Sequence, residues 1–297
     1  MNSSSELLVL GVTGQVGKLV ATHLKKSVAN FSVGSRRKAN LEELADQFGA
    51  SRFIDLDDPR TFNNALKNVN GIFLITGYTV DMLVQSKSLI DAAKRSGANH
   101  IVHLGAFTLE HDSYATVFAW HQMIEAYLRA SGVAWTNLHP NMFMQNLLSV
   151  WPLKGGLYSV YTSKAIGFTA LEDVAEAAAV ILMEGPEKHS GKDYWFSAEV
   201  LTPHQVAEAL TVATGRKFTA AVREADAFQS AAAQPGSAFE PAYAKGGLEL
   251  FRQVEDGRMA YVGSLRDDTK TILGREPLLL REWAKLHANE LSEIAGS

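Results

Sequence analysis

The chain has 297 residues, is 46% apolar and carries a formal net charge of −4. That is enough apolar material for a substantial core, and the charge balance argues against a basic nucleic-acid surface. There is no cysteine, which excludes disulfides and thiolate chemistry. No apolar run approaches the ~20 residues that span a bilayer, and the short polar start (residues 1–6) has no signal-peptide pattern, so a soluble, cytoplasmic protein away from membranes is expected.

Residues 7–10 form a short apolar run that stops at Gly11, the pattern of a strand buried on both faces. Val16, Leu19, Val20 and Leu24 then recur at helical spacing. Residues 31–35 predict a second strand, and 41–48 a helix stopped by Gly49. Residues 52–56 predict a third strand, 61–66 a helix and 71–75 a fourth strand. A long amphipathic helix over 82–96 is closed by Gly97. Strand 100–104, helix 120–130 with Gly132 behind it, and strand 134–138 complete the alternation. This order implies right-handed crossovers and a Rossmann-like, doubly wound parallel sheet of the α/β class.

Beyond residue 138 the rhythm changes. Residues 143–161 are rich in aromatics and interrupted by Pro152 and Gly155–Gly156, and are expected to form a loop or lid. Helices are predicted over 173–183, 203–213 (Thr202 as N-cap, Gly215 as stop) and within 278–291, with strands over 193–197 and 217–223. The expected organisation is a dinucleotide-binding domain over 1–140, with later segments packing back on it, and a smaller α+β substrate lobe over 141–297.

The sharpest signal is Gly11-Val12-Thr13-Gly14-Gln15-Val16-Gly17, set between a strand and a helix near the N-terminus. Gly11 permits the tight turn, Gly14 lets the backbone approach a pyrophosphate, and Gly17 lets helix and strand pack closely. The helix N-terminus then faces the phosphates. The second strand ends in Ser35-Arg36-Arg37-Lys38, where NAD-preferring sites usually place a carboxylate. Three cations suit a 2′-phosphate, hence NADP(H); a solvated basic turn is the competing reading. Thr76 and Gly77, and Leu104, Gly105 and Ala106, follow the fourth and fifth strands at their carboxyl ends, where ligands sit in open sheets. The aromatics Phe143, Trp151, Tyr158 and Tyr161, with Met142 and Met144, suit either an apolar substrate slot or plain core. Asp173 reads as a helix-start residue. No histidine spacing predicts a metal site.

The glycine turn, Asp55-Leu56-Asp57-Asp58, the His121…Glu125 helix, the segment 141–148 from Asn141 to Leu148, and Leu171-Glu172-Asp173-Val174-Ala175 together resemble the NmrA-like group of atypical short-chain dehydrogenases/reductases. The similarity covers most of the chain and is strongest to bacterial NADPH-dependent quinone and triphenylmethane-dye reductases. It implies a cofactor site including Gly11, Thr13, Gly14, Gln15, Val16, Arg36, Arg37, Lys38, Asp55, Leu56, Thr76, Gly77, Leu104, Gly105, Ala106, His121, Asn141 and Phe143, with Asp55 and Leu56 near adenine. It also implies a small hydrophobic or aromatic substrate in the cleft between the lobes, and leaves a homodimer open. Against the ordinary short-chain pattern, the Tyr-x-x-x-Lys pair aligns with Val117 and His121, and the serine region reads Leu104-Gly105-Ala106. Without the proton-donating tyrosine, ordinary alcohol–ketone interconversion is disfavoured, whereas a conjugated acceptor delocalises the incoming electron pair. His121 is the candidate catalytic residue, either holding the nicotinamide ribose or delivering a proton. Glu125 either fixes its ring or forms a helix salt bridge. The expected function is NADPH-dependent reduction of a quinone, dye or similar acceptor. The alternatives are an NADP-binding redox sensor without turnover and another NADP-dependent enzyme of this fold.

Overall fold

The computed structural model describes residues 6–108, 115–149, 153–232 and 241–296. The N-terminal half runs β1 (Glu6–Val9), α1 (Gln15–Lys26), β2 (Phe31–Ser35), α2 (Leu41–Phe48), β3 (Ser51–Phe53), α3 (Phe62–Ala65), β4 (Val69–Leu74), α4 (Met82–Ser96), β5 (His100–Leu104), α5 (Thr116–Ser131) and β6 (Ala134–Pro140). Then follow β7 (Met142–Phe143), α6 (Asn146–Ser149), β8 (Leu157–Val160), β9 (Ile166–Thr169), α7 (Leu171–Glu184) and α8 (Pro186–His189). The remainder is β10 (Lys192–Ser197), β11 (Glu199–Leu201), α9 (Pro203–Thr214), β12 (Thr219–Val222), α10 (Ala225–Ala232), α11 (Pro241–Glu255), β13 (Arg266–Asp267), α12 (Thr269–Leu273), α13 (Leu280–Leu286) and α14 (Ala288–Gly296).

The main sheet has eight strands in the order β13-β10-β6-β5-β4-β1-β2-β3, parallel except for β13. Helices cover both faces, so the central strands are largely apolar. Leu8, Val9, Ile72, Phe73, Ile101 and Val102 are fully buried. The alanine-rich α7 explains its composition by packing: Ala175, Ala177, Ala178 and Ala179 let it lie close against α1, where Val20 and Ala21 are buried. Segments far along the chain therefore complete the first layer, with β10 pairing with β6 and α7 backing β4 and β5. Asp173 stands in the first turn of α7, as expected of a helix-start residue, and has a further use. It is buried, accepts from the Leu278 N–H at 2.7 Å and pairs with Arg275 at 2.8 Å, tying the last segment to α7.

The smaller lobe holds a three-stranded sheet (β11-β9-β7) and a two-stranded pair (β12-β8), wrapped by α9, α10, α11, α13 and α14. The expected loop or lid over 143–161 is corrected here. Its described residues form β7, α6 and β8, and Met144, Tyr158 and Tyr161 are buried in this lobe's core beside Phe168 and Trp283. The strand β8 escapes a local reading because its partner, β12, lies some sixty residues further along. Trp151 lies outside the described residues. Among the described residues no helix is long and apolar enough to cross a membrane.

Candidate functional site

The strand order reverses beside β1: the chain first moves outward through β2 and β3, then returns to β4 on the other side. Ligands of open α/β sheets bind at the carboxyl ends of the strands at such a switch point. Two adjoining cavities lie there, sharing Ile75, Thr76 and Thr79.

The first cavity, of about 480 Å3, is lined by Gly11, Thr13, Ser35, Arg36, Arg37, Asp55, Leu56, Asp57, Thr76 and Gly77 among others. Gly11 has φ +68°, and an added Cβ would lie 2.5 Å from the Ile75 side chain. A Cβ on Gly17 would sit 2.4 Å from the Gly11 carbonyl oxygen. Gly11 is therefore required by dihedral angle as well as by space, and Gly17 by space. The N-cap Gly14 offers no side-chain cap to α1, and no acidic residue occupies the first turn. The positive end of α1 is thus open to an anion. Arg36 is largely exposed and stands 3.7 Å from Asp57, a loose pair that leaves its guanidinium free to turn to a phosphate. The Arg37 N–H donates to Ser35 Oγ at 3.1 Å, which fixes the strand end. These features fit a dinucleotide with a 2′-phosphate: a glycine turn without room for a Cβ, an uncapped helix end and two arginines.

The second cavity, of about 620 Å3, lies over β4, β5 and β6 and is closed by the smaller lobe. Its near wall is Val16, Leu104, Gly105, Ala106 and His121, and its far wall is Phe228, Tyr243, Gly246, Gly247, Leu250 and Phe251. Tyr78 closes one side, its ring 5.7 Å edge-on to His121 and 5.2 Å from Tyr243. An added Cβ at Gly247 would strike the Phe228 ring, so that glycine lets α10 and α11 approach each other.

His121 is buried on α5, and neither ring nitrogen has a hydrogen-bond partner among the described residues. Burial, with the nearby His139, pushes its pKa down to about 3, so it is neutral at physiological pH. Behind it lies a buried polar cluster. His103 is also held neutral, by burial first and then by His121 and His139. Glu125 is pushed up to about 6 by burial, against the pull of His139 and Arg129. His139 Nδ1 lies 3.0 Å from the Ala106 carbonyl and its Nε2 3.1 Å from Asp193 Oδ1. For Asp193, burial raises the pKa, but hydrogen bonds from His139 and Asn137 outweigh it and hold the group below the usual range. Glu125 does not fix the His121 ring. It is 3.6 Å from Arg129 and 3.6 Å from His139. Glu125 Oε1 and His103 Nδ1 lack partners among the described residues. Each such buried atom costs about 1–3 kcal/mol, which calls for a functional explanation. Glu125, His139 and Asp193 bring ligand-type atoms within 4.8 Å of one another, but the Arg129 guanidinium already supplies the cation there, 2.8 Å from Asp193.

Three residues of the expected cofactor site line neither cavity. Lys38 turns away, its ammonium 4.9 Å over the Phe53 ring, because β3 ends at Phe53 and presents that ring to it. Gly14 and Gln15 stand at the entrance to α1 rather than in the lining. Asn141 lines the second cavity, but its amide already donates to the Val262 carbonyl at 2.9 Å and accepts from the Met142 N–H. Asp55 accepts from the Asp57 N–H at 3.1 Å, shaping the turn that reaches the first cavity. Tyr78, Val117, Phe118 and the α11 wall were not signalled as site residues, although the pair Gly246-Gly247 is a visible cue to close approach.

The NmrA-like family profile matches residues 3–243. The chain is 29% identical to an NAD(P)H azoreductase from Xenophilus azovorans, over 95% of this chain and 98% of that protein. It superposes on Citrobacter sp. triphenylmethane reductase complexed with NADP(H) at TM-score 0.80, with 22% identity and coverage of 96% and 100%. The NADPH complex of an Escherichia coli NADPH-dependent quinone oxidoreductase gives TM-score 0.79 at 23% identity, with coverage of 97% and 99%. With its Rossmann-like sheet, its glycine turn and a match across most of its length, the chain belongs to the NmrA-like family.

Proposed function

We propose that this chain is an NADPH-dependent reductase of planar, conjugated small molecules such as quinones, azo compounds or cationic dyes. The observation that carries this reading is the second cavity: an aromatic slot continuous with the dinucleotide cavity, into which His121 projects. Gly11, Thr13 and the open end of α1 would hold the pyrophosphate, Arg36 and Arg37 the 2′-phosphate, and Thr76 with Gly105 the inner part of the cofactor. Bound NADPH supplies the hydride. Tyr78, Phe118 and Tyr243 offer flat faces for a stacked acceptor and exclude water from it. Against the ordinary short-chain pattern the tyrosine position reads Val117 and the serine region Leu104-Gly105-Ala106, and all four line the slot, so this reading gives it no tyrosine–serine pair for protonating an alkoxide. The azoreductase, dye-reductase and quinone-reductase relatives support the same chemistry.

A neutral His121 offers one N–H and one acceptor nitrogen to the slot. His121→Ala is expected to slow quinone reduction about ten- to hundredfold, a modest share of what proton transfer or positioning contributes. Because burial holds His121 neutral from about pH 5 to 8, the loss should not trace an ionisation of His121 itself. Stopped-flow measurement across that range checks this. Parent-like rates and NADPH affinity would make His121 a bystander, and a loss confined to one limb of the profile would mean that it titrates in that range.

A further inference from the structure

We propose that Asp193, His139, Glu125, His103 and His121 form a buried relay that carries a proton from the outer edge of the sheet to the substrate slot. The inference rests on the reductase reading above. Reduction of a quinone or azo bond adds a hydride and then a proton. The slot is lined mainly by apolar and aromatic side chains, and the buried polar groups behind His121 offer that proton a path.

Three neighbouring strands and one helix supply the path: β10 gives Asp193, β6 His139, β5 His103 and α5 both Glu125 and His121. Asp193 is at the solvent end, a fifth exposed, and bonded to Arg129 and Asn137. Its Oδ1 lies 3.1 Å from His139 Nε2. The other nitrogen of His139 faces the Ala106 carbonyl at 3.0 Å and Glu125 Oε1 at 3.6 Å. Flanked by Asp193 at one nitrogen and by Glu125 beyond the other, His139 can take a proton on one side and release one to the Glu125 carboxylate once its Nδ1–H turns from the Ala106 carbonyl. Gly105 forms the floor of the slot over this junction. The space its missing Cβ leaves is bordered by Glu125 Oε1, at 2.7 Å, and His103 Cε1, at 3.6 Å. The His103 and His121 rings have centroids 5.5 Å apart. Two imidazoles joined by one N–H···N bond of about 2.9 Å have centroids roughly 5 Å apart, so a small rotation connects them.

The polar atoms without partners are those a relay leaves open between transfers: Glu125 Oε1, His103 Nδ1 and both nitrogens of His121. In the last step the His121 N–H bond breaks and the O–H or N–H bond of the product forms, while a proton arrives at the other ring nitrogen. His121 ends neutral, as it began. The charged and titratable groups acting on Glu125 are Arg129 on its own helix, His139 on β6 and Asp193 on β10. Burial pushes Glu125 up to about 6, which keeps it able to give and take protons near neutrality.

The test uses Glu125→Gln, which keeps size and hydrogen bonding but cannot pass a proton as a carboxyl does. With 15N-labelled histidines and no acceptor present, the His139 and His103 signals of the parent should move with an ionisation near pH 6, and that movement should vanish in the variant. Signals that ignore this range in the parent, or move identically in both proteins, would overturn the relay. Kinetically, quinone reduction should slow about ten- to hundredfold. Hydride transfer to a cationic triphenylmethane dye, which needs no proton, should keep its rate. Equal slowing of both acceptors would mean a structural role, and no slowing of either would remove the relay. A parent protein that reduces no acceptor would defeat the reductase reading instead, with the labelled-histidine titration still deciding whether the groups exchange protons.

Discussion

Gly17→Ala is expected to cost the fold about 3 kcal/mol, while Gly14→Val leaves it standing and abolishes dinucleotide binding. The difference lies in what a Cβ would meet. At Gly17 it would stand 2.4 Å from the Gly11 oxygen, 2.5 Å from the Gly11 carbon and 2.6 Å from the Leu10 oxygen. All three are backbone atoms at the end of β1, so the start of α1 would have to lift off the sheet. Overpacking of this kind costs about 1–3 kcal/mol, and backbone obstacles place it at the upper end. At Gly14 the nearest atom is the Gly11 oxygen at 3.3 Å, and the site is on the surface. A valine there fits the fold but stands where the phosphates approach the open end of α1. Urea unfolding and NADPH titration of both variants separate the two effects. A Gly17→Ala protein with the parent midpoint, or a Gly14→Val protein with parent affinity, would refute this placement of the turn.

Removing Arg36 or Arg37 should weaken NADPH binding roughly ten- to hundredfold and leave NADH nearly unchanged, since a charged hydrogen-bonding partner contributes about 1.5–3 kcal/mol. Both line the first cavity, and Arg36 makes a loose 3.7 Å contact with Asp57. Lys38→Ala should have little effect on either cofactor, because its ammonium lies over Phe53 instead. Calorimetric titration of the three variants with both cofactors checks the ranking. Equal losses for NADPH and NADH, or a parent that binds NADH more tightly, would contradict the 2′-phosphate assignment.

The first half of the fold was legible because its strands are buried on both faces and its helices end at glycines. The predicted bounds 31–35, 82–96 and 100–104 coincide with β2, α4 and β5, and Gly97 takes the left-handed conformation expected of a helix stop. Local patterns failed where pairing is distant or composition misleads. For Tyr158 and Tyr161 the local pattern left slot and core open, and both rings are buried in the smaller lobe, where β8 pairs with the distant β12. No element was predicted over α11, whose paired glycines lower helix propensity yet shape the far wall of the slot. The histidine cluster was invisible for another reason. His103, His139 and Asp193 have no meaningful spacing in sequence, and only the adjacency of β5, β6 and β10 joins them. The cofactor turn, by contrast, is a local device, and residues 11–17 carry it complete.

The most direct test is to follow the nicotinamide absorbance while the purified protein and NADPH meet a panel of quinones, azo compounds and cationic dyes. A reductase of conjugated acceptors predicts saturable NADPH oxidation with at least one of these classes, slower oxidation of NADH, and loss of the NADPH preference in the Arg36 and Arg37 variants. Tight NADPH binding with no oxidation by any acceptor would contradict it, and would make the chain an NADP-binding sensor.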